Sequence, residues 1–253
     1  MDFRADSYAT TDVGCVRKLN EDRHLVDDTQ FHWAVADGMG GMAKGDWAAE
    51  KIVETLGAVK LSDNLESALN TIGNAIEDAN SAIASQSAVL GEQMGSTIVS
   101  LLLRDNRFAV LWVGDSRAYL WRDGQLVRLT KDHSQVQDMV DGGIITAEEA
   151  ETHKLKNVLT RAVGIEENFG IGMVHDTVRS DDVFLLCSDG LYGPVPEADI
   201  ARLLDEADDL EEAAETLVQL CIERGAPDNV TLVLVSAQET TILQLGASEE
   251  ERA

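Results

Sequence analysis

Two acids in the sequence come after apolar segments that have the composition of β-strands. Asp37 follows residues 31–36, Asp189 follows residues 182–187, and each acid precedes a glycine. Strand-forming residues fix the backbone, and a glycine lets main chain approach whatever the acid holds. A third acid, Asp228, stands just before another apolar segment. If neighbouring strands run antiparallel, the end of one and the start of the next lie at one sheet edge, so the three carboxylates can converge.

Convergent carboxylates are typical ligands of hard cations. The sequence has five histidines and no closely paired cysteines, so Mg²⁺ or Mn²⁺ is favoured over Zn²⁺. We expect Asp37 to bridge two such ions about 3.5–4 Å apart. A water caught between two divalent cations loses a proton readily, and it could then attack phosphorus in line.

Phosphoryl chemistry also needs positive charge near the phosphate oxygens. Arg17 offers a planar guanidinium suited to bidentate phosphate contact. It stands close to Glu21 and Asp22, so an ordinary surface salt-bridge cluster explains the spacing almost as well. The pattern leaves both interpretations open.

The composition indicates a folded protein that avoids anionic partners. Hydrophobic residues make up 44% of 253 residues, and the net charge is −26. Such a charge makes nucleic acids and anionic membranes poor partners. The acidic residues increase solubility, or some of them bind hard cations. The three cysteines are far apart, and no signal-like or membrane-spanning apolar run is present. We therefore expect a cytoplasmic, monomeric protein, with a single domain at 1–239 and a polar C-terminal tail at 240–253 that frays.

Apolar periodicity predicts an α+β fold. The predicted strands are 4–12 (an edge strand), 24–26, 31–36, a meander of at least four strands within 96–129 with turns at 105–106 and 123–124, then 170–178, 182–187 and 230–235. The predicted helices are 44–61, one from 65 to 83 capped by Asp63 and Glu66, 197–204 and 210–224. This order predicts a central β-sandwich of two antiparallel sheets, flanked on each side by a helix pair.

Residues 131–163 interrupt this pattern with a polar, less regular segment. Thr146 and Glu149 predict a capping box for a short helix. We interpret the segment as a flap over one end of the sheet that gates or recognises a substrate, with a plain pair of connecting helices as the alternative.

Six ordered segments resemble the motifs of the metal-dependent Ser/Thr protein phosphatases of type 2C, in their bacterial form. The resemblance covers roughly residues 8–236 and implies the same helix-flanked sandwich. The segments are Arg17-Lys18-Leu19-Asn20-Glu21-Asp22, Ala36-Asp37-Gly38-Met39-Gly40-Gly41, Gly95-Ser96-Thr97, Val113-Gly114-Asp115-Ser116-Arg117, Ser188-Asp189-Gly190 and Asp228-Asn229-Val230-Thr231.

The resemblance also implies roles for individual residues. Asp37 would bridge two Mn²⁺ or Mg²⁺ ions, with the carbonyl oxygen of Gly38 as a further ligand. Asp189 and Asp228 would complete the metal shells. Arg17 would bind the substrate phosphate.

Further residues match family positions with less defined roles. One of Glu21 and Asp22 would hold a metal, directly or through water. Asp115, with Asp189, would hold a weaker third metal, although a tight turn explains Asp115 equally well. Asn229 would support the pocket by hydrogen bonds, as would Thr97.

The sequence also departs from the family. Animal members have a histidine where this chain has Met39, and many bacterial members have one where it has Met42. Neither methionine can donate a proton to the leaving group. His133 is one candidate for that proton, although an isolated histidine is more often structural.

We therefore expect Mg²⁺/Mn²⁺-dependent hydrolysis of phosphoserine and phosphothreonine in proteins, opposing a Ser/Thr kinase in bacterial signalling. A phosphatase that acts on an anti-sigma-factor antagonist would differ only in substrate. A non-catalytic regulator that binds a partner through the flap is the alternative from another class. A non-catalytic regulator is expected to have lost some of the metal-binding acids. Asp37, Asp189 and Asp228 are all present.

Overall fold

Two antiparallel β-sheets face each other in the computed structural model, which describes residues 3–40, 44–166 and 169–239. The strands in these ranges are β1 (Phe3–Asp12), β2 (Asp22–Asp27), β3 (His32–Gly40), β4 (Met94–Ser96), β5 (Ile98–Arg104), β6 (Arg107–Val113), β7 (Arg117–Arg122), β8 (Gln125–Arg128), β9 (Gly172–Thr177), β10 (Asp182–Cys187) and β11 (Val230–Glu239). One sheet has the order β1-β11-β10-β7-β8 and the other β2-β3-β5-β6-β9, with β4 paired to β3.

Helices cover the outer face of each sheet. The helices in the described ranges are α1 (Gly45–Ala58), α2 (Leu65–Leu90), α3 (Gln135–Asp141), α4 (Ala147–Glu151), α5 (Asp189–Tyr192), α6 (Glu197–Glu206) and α7 (Leu210–Glu223). The helices α1 and α2 pack on the β3 sheet, and α5 to α7 pack on the β11 sheet. The predicted α-β-β-α order is confirmed. No helix in the described ranges combines the length and the apolar character needed to cross a lipid bilayer.

Side chains on β3 alternate between two apolar cores. Trp33 and Val35 are buried between the two sheets, whereas Ala34 and Ala36 are buried against the helices. Because side chains point to opposite faces of a strand in turn, a strand covered on both faces must be apolar throughout. This explains the continuous apolar segment that ends at Asp37.

Some predicted boundaries are wrong for local reasons. The strand β3 does not end at Ala36 but continues to Gly40, because Gly38 to Gly40 pair with β4. The cap of α2 is Asn64 rather than Asp63, since the Asn64 side chain accepts a hydrogen bond from the Ser67 amide at 2.9 Å. The short helix α5 was not predicted.

The predicted four-stranded meander is also wrong. Both hairpins form, with turns at 105–106 and 123–124, but they belong to different sheets. The connection at 114–116 crosses between the sheets, with Gly114 at φ +101°. Alternation within a hairpin does not reveal which sheet it joins, because both sheets have the same period.

The flap segment 131–163 contains α3 and α4. The capping box predicted at Thr146 and Glu149 is present at the start of α4. A backbone bridge between Ser96 and Val163 joins the segment to the sandwich. A second bridge, between Ser134 and Leu159, lies within the segment. The tail at 240–253 lies outside the described residues.

Buried His32 makes the stability of the fold depend on pH. Its Nε2 lies 2.8 Å from Ser100 Oγ, and its Nδ1 has no hydrogen-bond partner among the described residues. Burial lowers the pKa of His32 to about 4, whereas an unfolded histidine titrates near about 6.5. Between these values the unfolded chain binds more protons at this residue, so the contribution of His32 to stability is fully present above pH 6.5 and is lost as the pH falls toward 4.

We predict that His32→Gln weakens this pH dependence. Between pH 7 and pH 5, the wild-type free energy of unfolding should fall by on the order of 2 kcal/mol more than that of His32→Gln. Urea unfolding at both pH values measures the difference. The control is His175→Gln, which removes an exposed histidine on β9. Equal losses in the wild type and His32→Gln would contradict the role of His32.

Candidate active site

A pocket of about 540 Å³ opens at one end of the sandwich. Both sheets and the flap contribute to its walls. Most residues that the sequence predicts for the site line this pocket, namely Arg17, Glu21, Asp37, Gly38, Asp115, Asp189, Asp228 and Asn229. Asp22 is buried behind the wall, where it pairs with Asp37 across β2 and β3.

Asp189 and Asp228 reach the pocket from neighbouring strands of one sheet. The strands β10 and β11 are antiparallel, with Cys187 opposite Leu232, so the end of one meets the start of the other. A Cβ atom at Gly190 would lie 1.8 Å from the Asn229 carbonyl oxygen. Only glycine permits the two segments to approach this closely.

Asp37 reaches the pocket from the opposite sheet. Antiparallel neighbours therefore explain two of the three acids, and the packing of one sheet on the other brings in the third. The Asp37 amide donates to Thr97 Oγ1 at 3.1 Å, and its carbonyl oxygen accepts from the Thr97 amide at 2.8 Å and from Ser96 Oγ at 2.9 Å. These bonds hold the Asp37 backbone on both sides.

Gly38 also occupies a position without room for a side chain. A Cβ atom there would lie 2.1 Å from the Gly45 carbonyl oxygen at the start of α1. The Gly38 amide donates to the Glu21 carbonyl oxygen at 3.2 Å. The strand, the helix start and the loop before β2 therefore meet at this glycine.

The acids around the pocket disfavour one another's charge. Burial, followed by the charges of Asp22 and Asp189, raises the pKa of Asp37 well above its usual value. Burial and Asp189 raise the pKa of Asp115 to about 8. Burial and Asp228 raise the pKa of Asp189 to about 6. Such a group of carboxylates is costly unless positive charge compensates it.

Asp22 is the most buried of these acids, at 3% exposure. Burial raises its pKa to about 6, against the opposing effect of its hydrogen bond from Ser188. Ser188 Oγ donates to Asp22 Oδ2 at 2.8 Å and accepts from the Thr231 amide at 3.1 Å. Asp22 is thus held from behind, by residues of the other sheet.

Arg17 supplies positive charge at the pocket wall. Its Nη2 donates to Asp228 Oδ2 at 2.6 Å, and its side chain is about half exposed. The surface cluster that the sequence allowed would pair Arg17 with Glu21 or Asp22. Neither pair forms within 4.0 Å. The partner of Arg17 is instead Asp228, which lies 211 residues away in the chain.

Asn229 ties together the loop that carries Arg17. Its Oδ1 accepts from the Glu21 amide at 2.8 Å, and its Nδ2 donates to the carbonyl oxygens of Val13 and Leu19, both at 2.9 Å. Glu21 Oε1 accepts from the Gly45 amide at 3.1 Å. Both side chains therefore position the pocket wall through contacts with the backbone.

The donor set of the pocket fits a divalent hard cation. The available groups are carboxylates and carbonyl oxygens, which Mg²⁺ and Mn²⁺ prefer, and the raised pKa values of Asp37, Asp115 and Asp189 mark negative charge that lacks compensation. Among the described residues, no group of three or more His, Cys, Asp or Glu side chains is arranged to hold a metal ion. Asp228 accepts a hydrogen bond from Arg17.

His133 is not among the residues that line the pocket. Its Nδ1 accepts from the Gly114 amide at 3.2 Å, its Nε2 lies 3.3 Å from Arg161 Nη1, and its ring stacks on Trp112. Burial and Arg161 lower its pKa to about 4, so it is neutral at neutral pH. Met39 lines the pocket, and Met42 lies outside the described residues.

Tyr192 is a supporting residue that no sequence pattern indicated. Its hydroxyl donates to the Asp115 carbonyl oxygen at 2.9 Å, and the Arg117 guanidinium lies 3.6 Å from its ring centroid. Arg117 in turn makes a two-pronged contact with Asp132. No motif surrounds Tyr192, because its contacts join distant segments.

The protein phosphatase 2C family model matches residues 16–234. The chain belongs to this family. It is 38% identical over 229 residues to the serine/threonine protein phosphatase PstP of Mycobacterium tuberculosis, a match that covers 89% of this chain and 44% of that protein. The chain thus spans less than half the length of this relative. With the serine/threonine phosphatase Stp of Listeria innocua it shares 34% identity, covering 93% of this chain and 96% of that protein.

Solved structures of the family have the same fold. The catalytic domain of PstP in complex with two manganese ions matches with a TM-score of 0.85 at 34% identity. The match covers 94% of this chain and all of that one. The family membership predicted from six motifs is therefore confirmed.

We predict that Asn229→Ala destabilises the fold. The change leaves the Glu21 amide and the Val13 and Leu19 carbonyl oxygens without their partner, so the free energy of unfolding should fall by about 3 kcal/mol. The control is Asn70→Ala on the exposed face of α2, which should stabilise by about 0.5 kcal/mol through helix propensity. Urea unfolding measures both. A change in Asn229→Ala no larger than that in Asn70→Ala would contradict the prediction.

Proposed function

We propose that this chain is a Mn²⁺- or Mg²⁺-dependent phosphatase that hydrolyses phosphoserine and phosphothreonine in proteins. The observation that carries the proposal is a group of mutually repelling carboxylates next to the exposed guanidinium of Arg17 in one open pocket. The acids suit cations and the arginine suits a phosphate. Relatives named serine/threonine phosphatases support the same activity.

The proposed metal ligands are Asp37, the carbonyl oxygen of Gly38, Asp189 and Asp228. Asp115 together with Asp189 is the proposed holder of a weaker third ion, and Asp22 a ligand or a support from behind Asp37. When bound, the cations lower the pKa of water and offset charge on the phosphate. Glu21 and Asn229 are assigned to positioning, because their side chains bond to the backbone.

The chain's own residues would orient the phosphate for in-line attack by water. Arg17 presents several N–H groups of a rigid guanidinium to the non-bridging oxygens. Thr97 and Ser96 hold the backbone of Asp37 in place. In the overall reaction the phosphorus–oxygen bond to the serine or threonine breaks, water supplies the new oxygen, and the released alcohol takes a proton.

Other parts of the proposal concern the setting of the reaction. Substrates would be phosphoproteins, and a Ser/Thr kinase of the same bacterial signalling pathway would produce them. We also propose that residues 1–239 act as one monomeric cytoplasmic domain, with the flap at 131–163 contributing to substrate contact. Flap residues Val158 and Arg161 already line the pocket, which supports that contact.

We predict that Asp37→Asn lowers kcat/KM for a phosphothreonine peptide with Mn²⁺ by at least about 100-fold, because a central oxygen ligand loses its charge. The matched control is Asp123→Asn, in the Asp-Gly turn between β7 and β8, which should keep full activity. Steady-state kinetics with both variants measures the effect. Undiminished turnover by Asp37→Asn would refute the proposed function.

Calorimetric titration with Mn²⁺ distinguishes the proposed phosphatase from the non-catalytic regulator. A phosphatase of this design binds Mn²⁺ with heat that Asp37→Asn diminishes. A regulator that only keeps the fold would show no binding at millimolar metal. That result would favour the alternative.

We predict that Arg17→Ala raises the KM for the phosphopeptide by roughly tenfold to 100-fold, since a charge-assisted hydrogen bond to phosphate is lost. Arg17→Lys should recover part of the loss, because it keeps the charge without the planar geometry. Arg4→Ala removes another exposed, ion-paired arginine and is the control. An unchanged KM in Arg17→Ala would show that Arg17 serves only its ion pair with Asp228.

A further inference from the structure

A second groove opens at the end of the sandwich opposite the acidic pocket. It has a volume of about 400 Å³. The strand β3 runs between the two sites, from beside Phe31 in the groove to Asp37 in the pocket. We call this second groove the basic groove. Its apolar walls are Phe3, Phe31, Leu103 and Val178, and its two cations are Arg104 and Arg107.

The two arginines of the basic groove lack the partners that other arginines have. Within the described ranges, neither Arg104 nor Arg107 has a carboxylate oxygen within 4.0 Å, although Asp105 also lines the groove. Arg161 is the one other described arginine without such a partner, whereas the rest are ion-paired. In a chain with 46 acids and 20 lysines and arginines, two unpaired cations beside apolar walls indicate a site for an acidic group.

Both guanidinium groups retain N–H donors. Arg104 donates from Nε to the Ser62 carbonyl oxygen at 3.2 Å and from Nη1 to the Leu103 carbonyl oxygen at 3.3 Å. Arg107 Nη2 lies 2.6 Å from His175 Nδ1. A guanidinium has five N–H donors, so each arginine can still bind a carboxylate.

The chain that follows β11 starts at the basic groove. Glu239, the last residue of β11, pairs with Phe3, which is a wall of the groove. Residues 240–253 continue from there and carry an apolar part, Ile242-Leu243-Gln244-Leu245, followed by an acidic part, Glu249-Glu250-Glu251. Three extended residues span up to about 10 Å and ten up to about 35 Å, so both parts can reach the groove.

We propose that residues 240–253 bind in the basic groove of their own chain. The apolar part packs against the partly buried Phe3 and Phe31, and the acidic part pairs with Arg104 and Arg107. The tether keeps the segment at a high effective concentration, so modest contacts are enough to hold it. This inference does not depend on the proposed activity.

Hydrogen exchange of the full chain, followed by mass spectrometry, tests the proposal. Amides of residues 241–245 should exchange more slowly than in an unstructured peptide of the same sequence. Arg104→Glu with Arg107→Glu should speed their exchange by roughly threefold to tenfold, the loss expected for exposed ion pairs. Arg202→Glu with Lys154→Glu changes the net charge equally at exposed sites elsewhere and should leave the exchange unchanged.

Charge reversal on the segment provides the complementary variant. Glu249→Lys, Glu250→Lys and Glu251→Lys together should also speed exchange at 241–245, and combining them with the two arginine reversals should restore protection. The segment variant keeps the test decisive if the arginine variant fails to fold, because its changes lie outside the described sandwich. Exchange at the unstructured rate in the wild type, or protection unaffected by either reversal, would overturn the proposal. Protection that grows with protein concentration would assign the groove to a second copy and also overturn it.

Discussion

Like charges held close together set the main constraint on this molecule. Asp22, Asp37, Asp115, Asp189 and Asp228 gather around one pocket, and burial combined with their mutual repulsion raises the pKa values of the first four. Bringing these carboxylates together costs free energy, because charged groups that are free in water separate. The favourable free energy of folding of the rest of the protein offsets this cost. The same repulsion makes the pocket receptive to cations.

The packed sheets provide the rigidity that the pocket needs. Asp37 belongs to one sheet and Asp189 and Asp228 to the other, so their separation depends on the apolar core between the sheets. Hydrogen bonds across that boundary, such as Ser188 to Asp22, fix the relation further. Gly38 and Gly190 allow backbone segments to approach within distances that any side chain would prevent.

The two ends of the sandwich differ in charge. The pocket end gathers acids, whereas the far end presents Arg104 and Arg107 without carboxylate partners among the described residues. The strands that connect the ends are apolar on both faces, so neither set of charges penetrates the core. A strongly acidic chain can thus keep its acidic pocket and its basic groove apart on one scaffold.

Local sequence patterns identified most of the helices and strands and the residue types of the site. Apolar periodicity identified the layers, and the acids after strand-like segments identified Asp37 and Asp189, because these signals are local. Tertiary packing alone shows which sheet each hairpin joins, that Arg17 pairs with Asp228, and that Tyr192 supports the pocket. These features join residues far apart in the chain, and local patterns carry no information about which distant partner burial and hydrogen bonding will select.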